Sequence, residues 1–222
     1  MSIIAIIQSR MTSERYPGKM LAPFLGKPVL AHVVDKIKLS KIRPKIILAT
    51  SKNYTDEPLV LYAKHLGLDV VRGSHDDVYS RFSSTLNKFK CEAFFRVCGD
   101  SPLLLPFLFD KAVSIYGQSE YDLITNVFPR TFPNGMSIEL IKTKTFIEIE
   151  KKIKHKDHRE HITQFFYSKN EEFKIYNIRN KNPLDRNLHL ALDEPNDLIK
   201  LEEWDQSRSK DYESLFPIAE KI

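Results

Sequence analysis

Two short stretches hold side chains whose types and spacing could handle a polyphosphate. The first is Gln8-Ser9-Arg10-Met11-Thr12-Ser13-Glu14-Arg15-Tyr16-Pro17-Gly18-Lys19, where three cations are spaced five and then four residues apart. Arginine forks make bidentate hydrogen bonds to phosphate oxygens and lysine adds a mobile point charge, so this loop could clamp a polyphosphate with side chains. It matches neither common glycine cradle. Ser13 stands where a P-loop needs glycine, Gly18-Lys19 is followed by Met20, and no G-x-G-x-x-G follows. A solvated basic surface loop would read the same way. The second stretch is Gly99-Asp100-Ser101-Pro102-Leu103. A carboxylate facing such cations is what a magnesium–polyphosphate site requires, because Mg²⁺ takes one or two carboxylates together with phosphate oxygens. Asp193, after residues 188–192, is a natural second ligand. Each Asp could equally cap the turn or helix that follows it, given Pro102 and Pro195.

Both stretches need strands to present them. Residues 2–7 form an apolar, β-branched run without alternation, the pattern of a parallel strand covered on both faces, and residues 45–50, 69–72 and 93–98 read as further strands. Between them lie helical spacings: a helix opening at Pro28, one over 58–66 closed by Gly67, and one over 77–89 with Val78, Phe82, Leu86 and Phe89 on one face. This alternation predicts an α/β sandwich around a mostly parallel sheet, whose ligands bind beyond the carboxyl ends of the strands. The second half is less regular. It reads as a helix over 106–116, strands near 122–126 and 137–141 around the turn Pro133-Asn134-Gly135, and a polar stretch at 151–161 leading into a helix ending near Tyr167. Strands at 173–178 and 188–192 come next, then a helix from Pro195 to about Trp204 and a short amphipathic tail.

Composition bounds the rest. A chain of 222 residues with 42% hydrophobic residues and 28% charged residues of mixed sign can bury a core, so general disorder is excluded. A net charge of +5 is mild over this length and demands neither nucleic acid nor membrane; a local basic site for a small anion serves equally. Cys91 and Cys98 make no disulfide framework and no zinc set, which reads as a reducing cytosol. The apolar run at the N-terminus stops at Gln8, too short for a signal peptide or a membrane span. The expectation is a cytoplasmic protein without membrane insertion.

Seven ordered segments carry a resemblance: IIQSRMTSERYPGK (6–19), LGKPVLAHVVDKI (25–37), RGSHDDVYSRF (72–82), RVCGDSPLL (96–104), FPNGMSIEL (132–140), REHIT (159–163) and LALDEPNDL (190–198). Together they resemble the cytidylyltransferase family that includes the spore-coat polysaccharide protein F group and, more distantly, the synthetases of CMP-Kdo and CMP-sialic acid. The resemblance implies a three-layer, Rossmann-like (GT-A-like) nucleotidyltransferase fold. It also implies one domain over 1–222, with a nucleotide-binding half over about 1–120 and an acceptor-binding, possible dimerisation half over about 121–222. The implied reaction joins CMP from CTP to an acidic sugar or sugar phosphate with Mg²⁺ and release of pyrophosphate, in surface polysaccharide biosynthesis. Carried over by position, Arg10 and Lys19 hold the triphosphate and stabilise the leaving pyrophosphate, with Arg15 a neighbouring contact and Gln8 and Ser9 beside them. Asp100 is the metal-binding aspartate and Asp193 its partner. Arg72, Ser74, Asp77 and Arg81 lie in the segment that closes over the nucleotide. Thr12 and Glu14 stand where relatives often carry Gly and Thr, and Glu14 puts an anion beside the clamp.

For the acceptor, Asn126, Arg130, Asn134, Glu139, Arg159, Glu160 and His161 occupy loops and strand ends of the second half. Arg130 and Arg159 could bind a carboxylate or phosphate, or be surface cations. His155, Asp157, His158 and His161 suggest a zinc set, but the interleaved Lys154, Lys156 and Arg159 would repel a dication. Rival readings are a sugar-phosphate nucleotidylyltransferase using another NTP, a GT-A-type glycosyltransferase, and a non-catalytic nucleotide- or RNA-binding domain. The last lacks an aromatic stacking platform among the clustered cations. A homodimer through the apolar-rich region 121–141 is the expected assembly.

Overall fold

The side chains of strand β1 (Ile3–Gln8) alternate between two buried cores: Ile4 and Ile6 enter one, Ala5 and Ile7 the other. A strand with helices over both faces must be apolar on both, which is why its sequence shows no polar alternation. The computed structural model describes residues 1–207 and 211–219. After β1 come a short hairpin of β2 (Pro23–Phe24) and β3 (Lys27–Pro28), then α1 (Val29–Lys38), β4 (Lys45–Ser51), α2 (Glu57–His65), β5 (Asp69–Gly73), α3 (Val78–Lys88), β6 (Ala93–Cys98) and α4 (Pro106–Tyr116). The second half adds β7 (Leu123–Thr125), β8 (Glu139–Lys142), α5 (Thr143–Glu148), α6 (Lys156–Glu160), α7 (Gln164–Ser168), β9 (Ile175–Asn177), α8 (Pro195–Gln206) and α9 (Tyr212–Leu215).

The main sheet has seven strands in the order β5-β4-β1-β6-β8-β7-β9, and β8 alone runs against the others. Side chains of α1, α2, α4 and α8 pack into the core on one face, and those of α3, α5 and α7 into the core on the other. This is the three-layer α/β sandwich with a mostly parallel sheet that the alternating pattern predicts. β1 and β6 lie side by side in register, Gln8 opposite Cys98, so the loop after each strand opens at the same edge. Among the described residues no helix is long and apolar enough to cross a membrane.

One expected helix is found with an addition before it, and two expectations need correction. The helix expected to end near Tyr167 is α7, and the polar stretch before it holds a further short helix, α6, with His161 in a non-helical conformation between the two. Residues 188–192 are not a strand, although the Leu-His-Leu-Ala-Leu alternation imitates one. They cross the 133–135 turn instead, where Asn134 N–H donates to Leu188 O (3.1 Å) and Leu190 N–H to Asn134 O (2.8 Å). Gly135 makes that crossing possible: its φ is +93°, and a Cβ there would lie 2.1 Å from the Leu190 carbonyl oxygen. Finally, the cap of α8 is Glu194 in a reciprocal capping box with Asp197, not Asp193, which leaves the Asp193 carboxylate free for other contacts. Of the tail expected after Trp204, residues 208–210 and 220–222 lie outside the described residues.

Candidate active site

The cation loop leaves β1 and returns on itself. Met11 O accepts from Gly18 N–H (2.8 Å), and Gly18, at φ +78°, turns the chain into a single 3-10 turn (Lys19–Leu21). That turn drives Lys19 inward. Only 6% exposed, it is a buried lysine, which needs partners for its charge. Its ammonium donates to Asp100 Oδ2 (2.7 Å) and Leu192 O (2.7 Å), with Asp193 Oδ1 at 3.5 Å. The stretch after β6, the loop after β1 and the segment before α8 therefore meet at one nitrogen. Leu192 N–H donates to Asp100 O (2.9 Å), which ties the segment before α8 to the stretch after β6. Arg15 reaches Asp193 Oδ1 (2.9 Å), and His189 Nε2 lies 3.4 Å from Asp193 Oδ2.

A cleft of about 490 Å³ opens beside this node. Gln8, Ser9, Arg10, Arg15, Lys19, Arg81, Asp100, Asp193, Glu160 and His161 all line it, as do Ser13, Glu14 and Cys98. Arg10 contacts His75 Nε2 (3.3 Å) and Glu160 Oε1 (3.4 Å), long distances that a better acceptor would displace. Arg81 is the most telling residue. It is 3% exposed, and its Nε and Nη1 find no partner among the described residues; the buried Ser9 hydroxyl is likewise unpartnered. Burial and the neighbouring Arg10 disfavour its charge, while Asp56 and Asp77 support it. Since guanidinium does not deprotonate in proteins, these are charged donors buried in the wall of the cleft without a protein acceptor among the described residues, and an anion seated there would satisfy them. Cys98 is no nucleophile: burial pushes its thiol up to about 11, so it stays protonated.

A second cleft, of about 300 Å³, shares His161 with the first and is lined by Arg96, Arg130, Glu139 and Tyr167. Here the charges satisfy one another. Glu139, 2% exposed, accepts from Arg96 Nη1 (2.6 Å) and Tyr167 Oη (2.5 Å), and Arg96 Nε donates to Gln8 Oε1 (3.1 Å). Burial opposes the charge on Arg96, but the Glu139 carboxylate outweighs it and holds the proton more firmly. Burial, with Glu139 behind it, pushes the Tyr167 phenol up. Among the described residues Arg130 bonds only to neutral groups, Pro133 O (3.3 Å) and Ser137 Oγ (3.1 Å).

Other residues expected at the site are used elsewhere. Arg72 binds Glu57 (2.5 Å) and the Ser51 and Asn53 carbonyls; Ser74 Oγ accepts the Asp77 N–H; Asp77 caps α3 through Ser80 N–H (2.9 Å). Arg159 is paired with Asp77 (2.7 Å) over the Tyr79 ring, which docks α6 on α3. Asn126 is fully buried and bonds the Met136 and Ile138 backbone, and Asn134 joins His189 (3.0 Å). Sequence patterns do not reveal Asp56, His75, His189 or Arg96. Only Arg96 gives a signal, as a lone charge inside an apolar strand.

The donor set fits a divalent cation carried in with a nucleotide. Asp100 and Asp193 are brought together at the edge of the cleft by the Lys19 ammonium that both contact, and among the described residues no group of three or more His, Cys, Asp or Glu could form an all-protein cage. Four cationic and four acidic side chains line the cleft, so a dication on the two aspartates would leave it net positive.

Comparison with known proteins shows the family and the fold. A sequence profile of the cytidylyltransferase family matches residues 4–221. The spore coat polysaccharide biosynthesis protein SpsF of Bacillus subtilis is 31% identical over 170 residues, covering 73% of this chain and 69% of that protein. A cytidylyltransferase structure from Leptospira borgpetersenii superposes with a TM-score of 0.89 at 28% identity, over 95% of this chain and 89% of its own. A CMP:2-keto-3-deoxy-manno-octonic acid synthetase solved with CTP shares the fold, with a TM-score of 0.70 at 13% identity over 93% of this chain and 99% of its own. The chain belongs to the cytidylyltransferase family and is a CTP-dependent nucleotidyltransferase.

Proposed function

We propose that this enzyme transfers the CMP group of CTP to a hydroxyl of an acidic sugar, as a step in surface polysaccharide synthesis. The observation that carries the reading is Arg81, buried in the wall of a cleft that also holds Arg10, Arg15 and Lys19, with two N–H donors that have no protein acceptor among the described residues. Four cations gathered in one cleft suit a triphosphate better than a single phosphate. In the reaction the acceptor oxygen attacks the α-phosphorus, the bond from that phosphorus to the bridging oxygen breaks, and pyrophosphate leaves with the electron pair. The acceptor's hydroxyl proton passes to solvent.

The chain's own residues position and neutralise. Arg10, Arg15 and Arg81 bind phosphate oxygens, and Lys19, withdrawn from water, stabilises the charge that grows on the departing pyrophosphate. Asp100 and Asp193 would hold Mg²⁺, which supplies further neutralisation of the phosphates when bound. The smaller cleft takes the acceptor, with Arg130 as the cation for its acidic group and Glu139 and Tyr167 shaping the wall. His161 lies where the two clefts meet, beside the path from acceptor to nucleotide.

Pyrophosphate release tests the assignment: purified protein and Mg²⁺ with each of the four NTPs separately, against a panel of sugar acids and sugar phosphates. Release that requires CTP and one class of sugar acid supports it. Equal release with several NTPs, or CTP-dependent release with neutral or phosphorylated sugars alone, refutes it.

A further inference from the structure

The loop that faces the phosphates is tied down by a carboxylate outside the cleft. Asp56, fully buried at the end of the 3-10 turn after β4 (Tyr54–Asp56), accepts the Met11 N–H at Oδ1 (2.7 Å). Its Oδ2 accepts Thr50 Oγ1 (2.8 Å), Ser51 N–H (3.0 Å) and Ser51 Oγ (2.5 Å). A buried carboxylate with four donors is fixed, and it passes that rigidity to whatever else it holds. The Met11 residue is held from both sides, its N–H by Asp56 and its C=O by Gly18. Arg10 precedes this anchored residue, and Lys19 comes directly after the glycine that closes the loop on it. Asp56 also supports the Arg81 charge electrostatically, and Arg81 Nε and Nη1 have no partner among the described residues.

We propose that Asp56 is a positioning residue for the reaction: it fixes Met11 so that Arg10 and Lys19 face the triphosphate. The proposal rests on the reading of the larger cleft as the CTP site. A fold-stabilising role alone would explain the burial, but it gives no reason for one oxygen to be reserved for the cation loop.

The test separates the two oxygens. Asp56→Asn keeps the size, but its amide nitrogen cannot accept and its charge is gone. Thr50→Val removes a donor to Oδ2 and leaves the Met11 contact intact. CTP affinity is measured by calorimetry without acceptor, beside kcat, KM and Tm. Asp56→Asn should weaken CTP binding by about tenfold or more, the loss expected for a charge-assisted contact. Thr50→Val should lower Tm with CTP affinity within about twofold of wild type. CTP binding unchanged in a folded Asp56→Asn protein, or weakened equally in both variants, would overturn the proposal. If Asp56→Asn does not fold, amide hydrogen exchange on wild-type protein decides: Met11 should be protected before nucleotide is added, and free exchange there overturns the proposal. Absence of any CTP binding by wild-type protein would overturn the reading of the cleft itself, and this proposal with it.

Discussion

The two clefts meet at His161 yet treat charge in opposite ways. In the smaller one Glu139, Arg96 and Tyr167 saturate each other, leaving Arg130 with neutral partners. In the larger one, among the described residues, Arg81 has no partner for two donors and Arg10 has only long ones. A saturated network rigidifies a wall, whereas unsatisfied buried donors cost stability until an anion arrives. In the proposed function the incomplete cleft would take the nucleotide and the completed one would shape the place of its acceptor. Lys19 combines both, since it is saturated by Asp100, Leu192 O and Asp193 and yet borders the incomplete cleft.

That contrast is broken most severely at Lys19. Lys19→Ala removes the charge that would meet the leaving pyrophosphate, and turnover should fall about 10²–10³-fold, the usual loss for one preorganised transition-state donor. Turnover within threefold of wild type in a pyrophosphate-release assay would remove Lys19 from the mechanism. The saturated side is broken at Glu139. Glu139→Gln strips the charge from a buried pair with Arg96 and should cost about 2–3 kcal/mol in urea unfolding, while KM for CTP stays unchanged. Arg81 should behave in reverse. Arg81→Gln removes a buried cation with open donors, so KM for CTP should rise about tenfold while Tm holds or increases. A fall in Tm with unchanged KM would assign Arg81 to the core instead.

How far the sequence discloses these two halves depends on the range of the forces involved. The parallel strands β1, β4 and β6 are readable because each is a contiguous apolar run, and Asp100 and the cation loop are readable from their places directly after such runs. Arg81 comes from the resemblance, but its lack of partners depends on burial contributed by distant segments. Arg72 and Arg159 look like site cations in the sequence; only three-dimensional packing supplies the carbonyls and the Asp77 carboxylate that occupy them. Glu139 pairs with Arg96 across β6 and β8, 43 residues apart, and Asp56 binds Met11 across 45 residues. Local periodicity carries no record of either partner. At residues 188–192 it misleads outright, because alternation marks a half-buried extended chain whether or not a neighbour strand is present.

The smallest effect concerns how Asp193 is held near Lys19. Asp197 Oδ2 accepts both the Asp193 N–H (2.9 Å) and the Glu194 N–H (2.8 Å), so the α8 capping box also fixes the backbone that carries Asp193. Burial disfavours the Asp197 charge, but these two N–H bonds, with His189 and Lys200 nearby, outweigh it and hold the carboxyl below the usual range. A carboxyl depressed in the folded state stabilises above its unfolded pKa of about 3.9, and that contribution is lost as pH falls through the folded value. Asp197→Ala should therefore cost about 1 kcal/mol at neutral pH, the usual worth of a cap. The gap in unfolding free energy from wild type should close as pH drops below about 4. Turnover of the variant should fall only a few-fold, because Lys19 and Arg15 still grip the Asp193 carboxylate. A gap that persists unchanged in acid would mean the carboxylate charge adds nothing, and that α8 depends on packing alone at this end.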